Sequence, residues 1–413
     1  MLRKRNEEEN MIKRMLALVL AAVMFAAVFT GCRRESSFNE LGFDVGASYE
    51  FGSYKGETIE WIIKERNFIL GEDKVRLSLL SKYALDCKPF NDSGVSSWMN
   101  SSLRKWLNGD FYDEAFSESE KESIIEKPYF SSVASYMELY SVEKVTLMDL
   151  YWYGVTVCED YDICKPTKYA QEQGVKTEGG ACSWWSSGFT SVLSNLNSDY
   201  FLLPTSFGIN GQNYIFEEDP FKGDGIGVRP FITIEVDAGF DKKDINKGDK
   251  VTMGKTGEQP IEWIVLDNED CLTLWSSEIL TKGIFDDDSD SWEDSQMREY
   301  LNGDFYDAAF SKKEKKQMVE GTMYEDESQN IIEDKVFLLT QDDMSRLLDD
   351  MGQRYRLAGY AYNYVEKNRE AASEPYPDYW VLGSKASSFS YPYYSYKVDT
   401  FLGVKPVICV ELR

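Results

Sequence analysis

The sequence predicts an α+β protein made of two homologous domains in tandem. The first reason is an internal repeat: residues 98–124 and 292–318 align without gaps, with 15 identical positions and an unbroken LNGDFYD block. Such a duplication indicates repeated structural units. The second reason is that strand-like runs, such as IEWII at 59–63, alternate with helical patterns. The third is length, because 413 residues of 43% hydrophobic composition suffice for two cores.

The first segment of the chain resembles the signal peptide of a bacterial lipoprotein. Two basic residues precede an apolar run over 15–29, and Thr-Gly-Cys follows it. This pattern predicts that 1–31 are removed as a signal peptide and that Cys32 carries a lipid. An uncleaved N-terminal anchor is the alternative. Both predict an exported protein tethered to the outer face of the cell membrane, with 32–48 as a flexible polar tether.

The first domain is predicted to span 49–237 and to open with a β-hairpin. Its strands are the IEWII run and residues 75–80, which follow a Gly-Glu-Asp turn. Apolar residues within 103–107 have helical spacing, and Gly109 is expected to end that helix. The Ser-Glu-Ser-Glu sequence at 117–120 predicts a capping box for a second helix.

A long aromatic-rich region of the first domain supplies candidate binding residues. Residues 151–221 are rich in Tyr, Trp, Gly and Ser and are largely irregular in pattern. Irregular regions of this length form a binding surface or a loop packed on itself. Trp184 and Trp185 are the candidates within it, and Arg229 is the candidate next to the closing strand.

The second domain is predicted to span 248–413, after a charged linker at 238–247. It repeats the order of the first domain, and Tyr379 and Trp380 stand where the first domain has its Trp pair. These two residues complete the set of candidate binding positions. An arginine shared by the two core helices is predicted to form a salt bridge within each domain.

The composition excludes several classes of function. The formal net charge of -26 disfavours nucleic acid as a partner, because phosphate contacts need clustered Lys and Arg. The chain contains no histidine, which excludes a Ser-His-Asp triad and His-ligated zinc. The remaining functions are those that tolerate a strongly acidic surface.

Seven cysteines are present, and their spacing matches no CxxC pair. Three of them lie in apolar, strand-like surroundings and are expected to be buried thiols: Cys87, Cys271 and Cys409. Three others lie in the loop-rich region, where one disulfide is an open alternative: Cys158, Cys164 and Cys182.

The densest acidic cluster, DDDSD at 286–290, is a candidate calcium loop. Asp286, Asp288 and Asp290 offer alternate carboxylates, which are calcium ligands. The loop lacks the glycine and the bidentate glutamate of an EF-hand, so a solvated acidic loop is the preferred interpretation. No other cofactor is predicted.

The order of motifs resembles a bacterial domain of unknown function, family 6273. The resemblance rests on IEW, the LRKWLNGDFYDEAFS segment, DKVFLLT, the paired aromatic residues and the closing GVRP strand. It covers nearly all of 49–413 as two copies and implies an exported or lipid-anchored protein with no established activity. The motif order is also similar to the C-type-lectin and formylglycine-generating-enzyme type of α+β fold. An unrelated α+β sandwich is the alternative.

The sequence favours a non-catalytic binding module for glycans or proteins at the cell surface. Two copies on one tether gain avidity, and tyrosine-rich and tryptophan-rich loops suit sugar rings. One alternative is an enzyme with paired carboxylates, such as a glycosidase. Another is a structural envelope protein. No carboxylate lies in a motif that requires chemistry, so no catalytic residue is predicted.

Overall fold

The computed structural model describes residues 42–92, 98–131, 139–148, 163–193, 200–207, 214–216, 225–289, 291–325, 330–340, 380–381, 388–389 and 402–412. These residues belong to one compact unit, which spans 42–413. The predicted signal peptide, Cys32, Cys158, Tyr379 and Asp290 lie outside them.

The described residues form a mixed α and β structure that consists mostly of strands. The strands of the first repeat are β1 (Ser48–Tyr54), β2 (Glu57–Ile69), β3 (Lys74–Ser81), β4 (Tyr83–Ala84), β5 (Asp86–Cys87), β6 (Lys127–Ser131), β7 (Leu139–Glu143), β8 (Val145–Leu147), β9 (Lys165–Pro166), β10 (Trp184–Leu193), β11 (Tyr200–Phe207), β12 (Tyr214–Phe216), β13 (Gly227–Val228) and β14 (Pro230–Asp237). Those of the second are β15 (Lys250–Thr256), β16 (Gln259–Asp267), β17 (Cys271–Ser276), β18 (Thr281–Gly283), β19 (Met318–Val319), β20 (Gly321–Glu325), β21 (Asn330–Asp334), β22 (Val336–Phe337), β23 (Trp380–Val381), β24 (Ser388–Phe389), β25 (Leu402–Val404) and β26 (Val407–Glu411).

The helices are short. They are α1 (Ser102–Trp106), α2 (Tyr112–Ala115), α3 (Glu118–Ser123), α4 (Lys168–Glu172), α5 (Gln296–Tyr300), α6 (Tyr306–Ala309) and α7 (Lys312–Lys315). Turns of 3-10 helix cover Trp98–Asn100 and Lys242–Asp244. Among the described residues, no helix has the length and apolar character needed to cross a membrane.

A π-helical turn, Leu107–Phe111, continues α1 into α2, so the helix does not end at Gly109 as expected from the sequence. The side chain of Asn108 stabilises this turn. Its amide nitrogen donates to the carbonyls of Arg104 and Val145, and its oxygen accepts from the backbone N–H groups of Lys144 and Val145. The asparagine of the second LNGDFYD block makes the same four bonds. The repeated block is therefore a folding element.

The shared helical arginines form the predicted salt bridges. Arg104 pairs with Glu143, and Arg298 pairs with Asp334 at 2.9 Å. The predicted capping boxes are also confirmed in both repeats, at Ser117–Glu120 and at the matching serine and glutamate before α7. These contacts explain why the arginine, serine and glutamate recur: the arginine joins its helix to the rest of its repeat, and the serine and glutamate cap the next helix.

The capping glutamate of α3 also reaches the first strand of the repeat. Its Oε1 accepts the backbone N–H of Gly52 at 3.0 Å. Gly52 has φ +71, and a Cβ built there would lie 2.7 Å from the carbonyl oxygen of Ala115. Gly254, its counterpart, has φ +72 and binds Glu314 in the same way, at 2.7 Å. Glycine is required at both positions because the helix lies against the strand backbone.

The largest sheet has eleven strands and runs through both repeats. Its order is β19-β26-β17-β16-β15-β2-β3-β14-β8, with β1 paired to β2 and β22 paired to β26. Each repeat contributes three antiparallel strands, β2-β3-β14 or β16-β17-β26. The two sets are joined through β15, which pairs antiparallel with β16 and in parallel with the end of β2, where Phe68 lies opposite Val251.

A seam of buried polar side chains lies at the junction between the repeats and consists of Arg66, Asn67, Asp249 and Thr252. Arg66 donates two hydrogen bonds to Asp249, from Nε at 3.0 Å and from Nη2 at 2.7 Å, and both side chains are buried. Burial raises the pKa of the Asp249 carboxyl, and the Arg66 guanidinium opposes that change. Asn67 donates to Glu262 at 3.0 Å and accepts from the Thr252 hydroxyl at 2.9 Å. The two repeats thus satisfy each other's buried polar groups.

Parts of the predicted linker and tether pack on this sheet. Within 238–247, the ring of Phe240 lies 5.0 Å from that of Phe68, edge to face. Within 42–48, Phe43 is buried against the fold. Apolar side chains in otherwise polar segments explain this packing, because burying an aromatic ring offsets part of the cost of ordering the segment.

Candidate functional site

The candidate binding residues of the first repeat are buried in the core. Trp184, Trp185 and Arg229 each have 0% of their surface exposed. The Trp185 indole N–H donates to the carbonyl of Lys88 at 2.8 Å, and Nε of Arg229 donates to the carbonyl of Ser81 at 2.6 Å. The Arg229 guanidinium lies 4.8 Å from the Trp184 ring centroid. These side chains anchor loops and strands and offer no surface to a ligand, which corrects the surface interpretation.

The second repeat holds a buried cation at the equivalent position. Lys405 is 1% exposed, lies 3.8 Å from the Trp275 ring centroid and donates to the carbonyl of Ser277 at 3.3 Å. Burial lowers the pKa of Lys405 to about 7. The backbone of Trp380 pairs with Gly403 as Trp184 pairs with Gly227. The two closing strands are therefore built alike.

Asp286 of the candidate calcium loop has a structural role. It is buried, and its carboxylate accepts backbone N–H bonds from Asp288, Ser289 and Gln296 at 2.9–3.0 Å. These bonds hold the pKa of Asp286 below its usual value. In the part of the chain that the structure describes, no group of three or more acidic or cysteine side chains is arranged to hold a metal ion.

A cleft of ≈ 410 Å³ lies in the first repeat, where the β1–β2 hairpin faces β9 and α4. This volume is within the range of small-molecule sites, about 300–1,000 Å³. Three tyrosines and five charged residues are among its lining residues, which are Tyr54, Lys55, Glu57, Thr58, Ile59, Glu60, Tyr83, Leu85, Pro166, Thr167, Lys168, Tyr169 and Glu172. The cleft combines flat aromatic surface with hydrogen-bonding groups.

Tyr54 forms a rigid wall of the cleft. Its hydroxyl donates to Asp86 at 2.7 Å, and its ring meets Tyr169 edge to face at 5.9 Å. Burial, followed by the bond to Asp86, raises the pKa of Tyr54, so this hydroxyl keeps its proton. Tyr83 and Tyr169 are only half-buried, which leaves part of each ring accessible.

Lys55 is the most unusual residue of the cleft. Its ammonium lies 4.9 Å and 5.6 Å from the ring centroids of Tyr54 and Tyr169 and pairs with Glu114 at 2.7 Å. The bond to Glu114 raises the pKa of Lys55. Lys55 has φ +52, and among the described residues no other non-glycine residue has positive φ. The second repeat has Gly257 at this position, with φ +61.

Charged side chains form the rim of the cleft. Glu60 pairs with Lys82 at 2.6 Å, and Lys168 lies 3.8 Å from Glu172 on the exposed face of α4. Glu57 is exposed at the start of β2. Ammonium and carboxylate groups thus both lie at the rim, next to the aromatic wall. Together they can hydrogen-bond a polyhydroxylated ligand.

The cleft could not be predicted from the sequence, although one signal of it is present there. Aligning the hairpin turns of the two repeats places Tyr54-Lys55-Gly56 against Thr256-Gly257-Glu258. The first repeat has a lysine where the second repeat has a glycine, which indicates that this turn has a special role in the first repeat. Nothing in the local sequence indicates that α4, more than a hundred residues later, covers this turn.

The comparisons with known proteins bear on the repeats and leave most of the cleft unmatched. The model of the family described as domain of unknown function (DUF6273) matches residues 75–136 and 273–412. Tyr54, Lys55 and Tyr169 lie outside the matched residues. No curated protein and no solved structure matches the chain. The chain therefore contains two segments that match the domain of unknown function DUF6273, one in each repeat, consistent with two copies of that domain.

Proposed function

We propose that this chain is a non-catalytic binding protein whose first-repeat cleft holds a saccharide. The observation that carries the proposal is the aromatic wall of the cleft, where the Lys55 ammonium lies 4.9 and 5.6 Å from the ring centroids of Tyr54 and Tyr169. Aromatic surface beside a few hydrogen-bonding groups is typical of small-molecule sites. The second repeat has threonine and glycine in place of Tyr54 and Lys55, so the specialisation belongs to the first repeat.

The chemistry of the lining favours an uncharged sugar. The accessible parts of Tyr83 and Tyr169 can stack on the apolar face of a sugar ring. The exposed carboxylates and ammonium groups can accept from and donate to its hydroxyls. The lining holds two lysines and three glutamates, and the chain carries a net charge of -26, so a polyanionic ligand is disfavoured.

We also propose that the protein is exported and anchored by a lipid at Cys32, with its two repeats forming a lectin-like pair of tandem domains at the cell surface. The support is the lipoprotein-like pattern of 1–32 and the order of motifs in both repeats. Binding from a membrane tether would place the cleft among surface glycans.

The proposed function is tested with a glycan array probed by the full chain in detergent. We expect saturable binding to a neutral glycan and about tenfold weaker binding by Tyr169→Ala, because one stacking face is lost. Tyr300→Ala is the matched control, since Tyr300 is also a partly exposed tyrosine but lies in the second repeat.

Equal binding by Tyr169→Ala and the wild type, or no binding to any neutral glycan, would overturn the saccharide proposal. Shortened glycan products after incubation would instead favour the carboxylate-dependent enzyme. A mass spectrum of the eluted glycans distinguishes these results.

The lipid anchor is tested with Cys32→Ala. We expect this variant to accumulate as an unprocessed precursor or to appear in the medium, because the lipid-bearing thiol is absent. Metabolic labelling with a fatty acid should mark the wild type and leave the variant unlabelled. Cys87→Ala is the control, since Cys87 lies in a strand of the folded unit. Equal labelling of Cys32→Ala and the wild type would contradict the anchor.

A further inference from the structure

Two cysteines lie side by side on neighbouring strands of the second repeat. Thr273 of β17 pairs with Cys409 of β26, and Cys271 pairs with Glu411, so both cysteine side chains are on one face of the sheet. The Thr273 hydroxyl oxygen lies 3.8 Å from Sγ of Cys271 and 3.9 Å from Sγ of Cys409. The Thr273 hydroxyl thus lies beside both sulfurs and connects the two cysteines.

The two thiols differ in accessibility and in charge. Cys271 is half-buried at the start of β17, whereas Cys409 is 4% exposed. The neighbouring Cys409 thiol, and then the Thr273 hydroxyl, lower the pKa of Cys271 to about 7, against the opposing effects of burial, Asp267 and Asp270. The pKa of Cys409 is raised. At neutral pH a substantial fraction of the half-buried Cys271 is therefore thiolate, the nucleophilic form, whereas the buried Cys409 keeps its proton.

We propose that Cys271 and Cys409 form a thiol–disulfide exchange site, with Cys271 as the attacking thiolate and Cys409 as the resolving thiol. The co-reactant is an external disulfide. Cys271 attacks one of its sulfurs, a mixed disulfide forms and the first thiolate leaves. Cys409 then loses its proton and attacks Sγ of Cys271, which releases the second thiolate. The two protein thiols are oxidised to one disulfide, and the external disulfide is reduced to two thiols.

The strand geometry makes this disulfide reversible. Cys271 and Cys409 are diagonal neighbours, and the Cα atoms of such pairs are about 7–8 Å apart. Unstrained disulfides join Cα atoms about 5.5–6 Å apart. Closing the bond therefore requires the backbone of β17 to shift toward β26, which is itself held by β19 and β22, and the remaining strain makes the bond easy to reduce.

The first repeat contains a second thiol pair that provides an internal comparison. Cys164 and Cys182 are neighbouring free thiols, and the backbone N–H of Cys182 donates to the carbonyl of Cys164 at 2.8 Å. Both are at most 1% exposed and lie in an apolar cluster with Leu80 and Trp184. An external disulfide cannot reach either sulfur in the folded state, so this pair should react only on unfolding.

The site is tested by treating the full chain in detergent with dithiobis-nitrobenzoate and mapping the peptides by mass spectrometry. In the wild type we expect the peptides of Cys271 and Cys409 to become joined, with no reagent retained on either. In Cys409→Ser we expect Cys271 to retain the reagent, since no resolving thiol is present. The rate at Cys271 should rise with pH and reach half its maximum near pH 7, because the thiolate is the reactive form.

Reagent retained on wild-type Cys271, or a rate at Cys271 no faster than at Cys164, would overturn the proposal. The wild-type peptide map decides the matter even if Cys409→Ser does not fold. Cys271→Ser is the complementary variant, and its Cys409 should stay unmodified because it is buried. Loss of glycan binding in any of these variants is a separate result, since the thiol pair lies in the second repeat and the cleft in the first.

Discussion

Replacing Asp249 by alanine is expected to lower the free energy of unfolding by about 3–5 kcal/mol, because it leaves the buried Arg66 guanidinium without its bidentate partner. Removing one member of a buried ion pair leaves most of the desolvation cost of the other uncompensated. The second carboxylate near Arg66, Asp44, is 70% exposed and lies 3.4 Å from Nη1, so it does not replace the bidentate pair. The backbone N–H of Asn246, which donates to Asp249 at 2.8 Å, also loses its acceptor. Removing this one side chain therefore weakens both the contact between the repeats and the turn from Asn246 to Asp249.

Urea unfolding, followed by tryptophan fluorescence, measures this effect. Asp307→Ala is the matched control, because Asp307 pairs with Lys315 at 2.7 Å but is 78% exposed. Exposed ion pairs contribute about 0–1 kcal/mol. A loss of less than 1 kcal/mol in Asp249→Ala would contradict the conclusion that the seam stabilises the junction between the repeats.

Replacing Gly52 by alanine is expected to cost about 2–5 kcal/mol in unfolding free energy. Its φ of +71 disfavours a side chain by about 1–2 kcal/mol. The added Cβ also meets the carbonyl oxygen of Ala115 at 2.7 Å and the Phe116 ring at 2.8 Å, and such overpacking adds about 1–3 kcal/mol. The strand and the α2 segment would have to separate, which also weakens the bond from Gly52 to Glu120.

Gly56→Ala, in the same hairpin, separates the cost of the positive φ from the cost of the steric contact. Gly56 has φ +85 but no atom within 4 Å of an added Cβ, so only the backbone cost of about 1–2 kcal/mol should appear. The unfolding free energies of the two variants are compared from their urea unfolding midpoints, provided that the m-value is unchanged. Equal destabilisation by Gly52→Ala and Gly56→Ala would show that the contact with α2 does not contribute.

The sequence predicted the local features of each repeat, because these depend on residues that are close along the chain. The capping boxes and the strands around Trp61 and Trp263 follow from spacing and side-chain type. For the two shared arginines the sequence indicated a salt bridge but not its partner, since Glu143 and Asp334 lie 39 and 36 residues away. The π-turn at 107–111 could not be predicted, since it depends on Asn108 binding the distant strand β8.

The long-range pairing could not be read from the sequence. The parallel contact between β2 and β15 joins residues about 180 positions apart, and local hydrophobic periodicity carries no information on which strand ends meet. Composition also failed to separate interior from surface aromatics. Trp184 and Trp185 lie in a Gly-rich and Ser-rich segment that is typical of loops, yet both are core residues.

The buried seam constrains how this gene can change by recombination. Most tandem duplications remain free to lose or gain a copy, because each copy folds alone. Here the deletion of either copy would remove one partner of the Arg66–Asp249 pair and would uncover a strand that is now central in the sheet. Selection against misfolded deletion products would therefore hold the copy number at two.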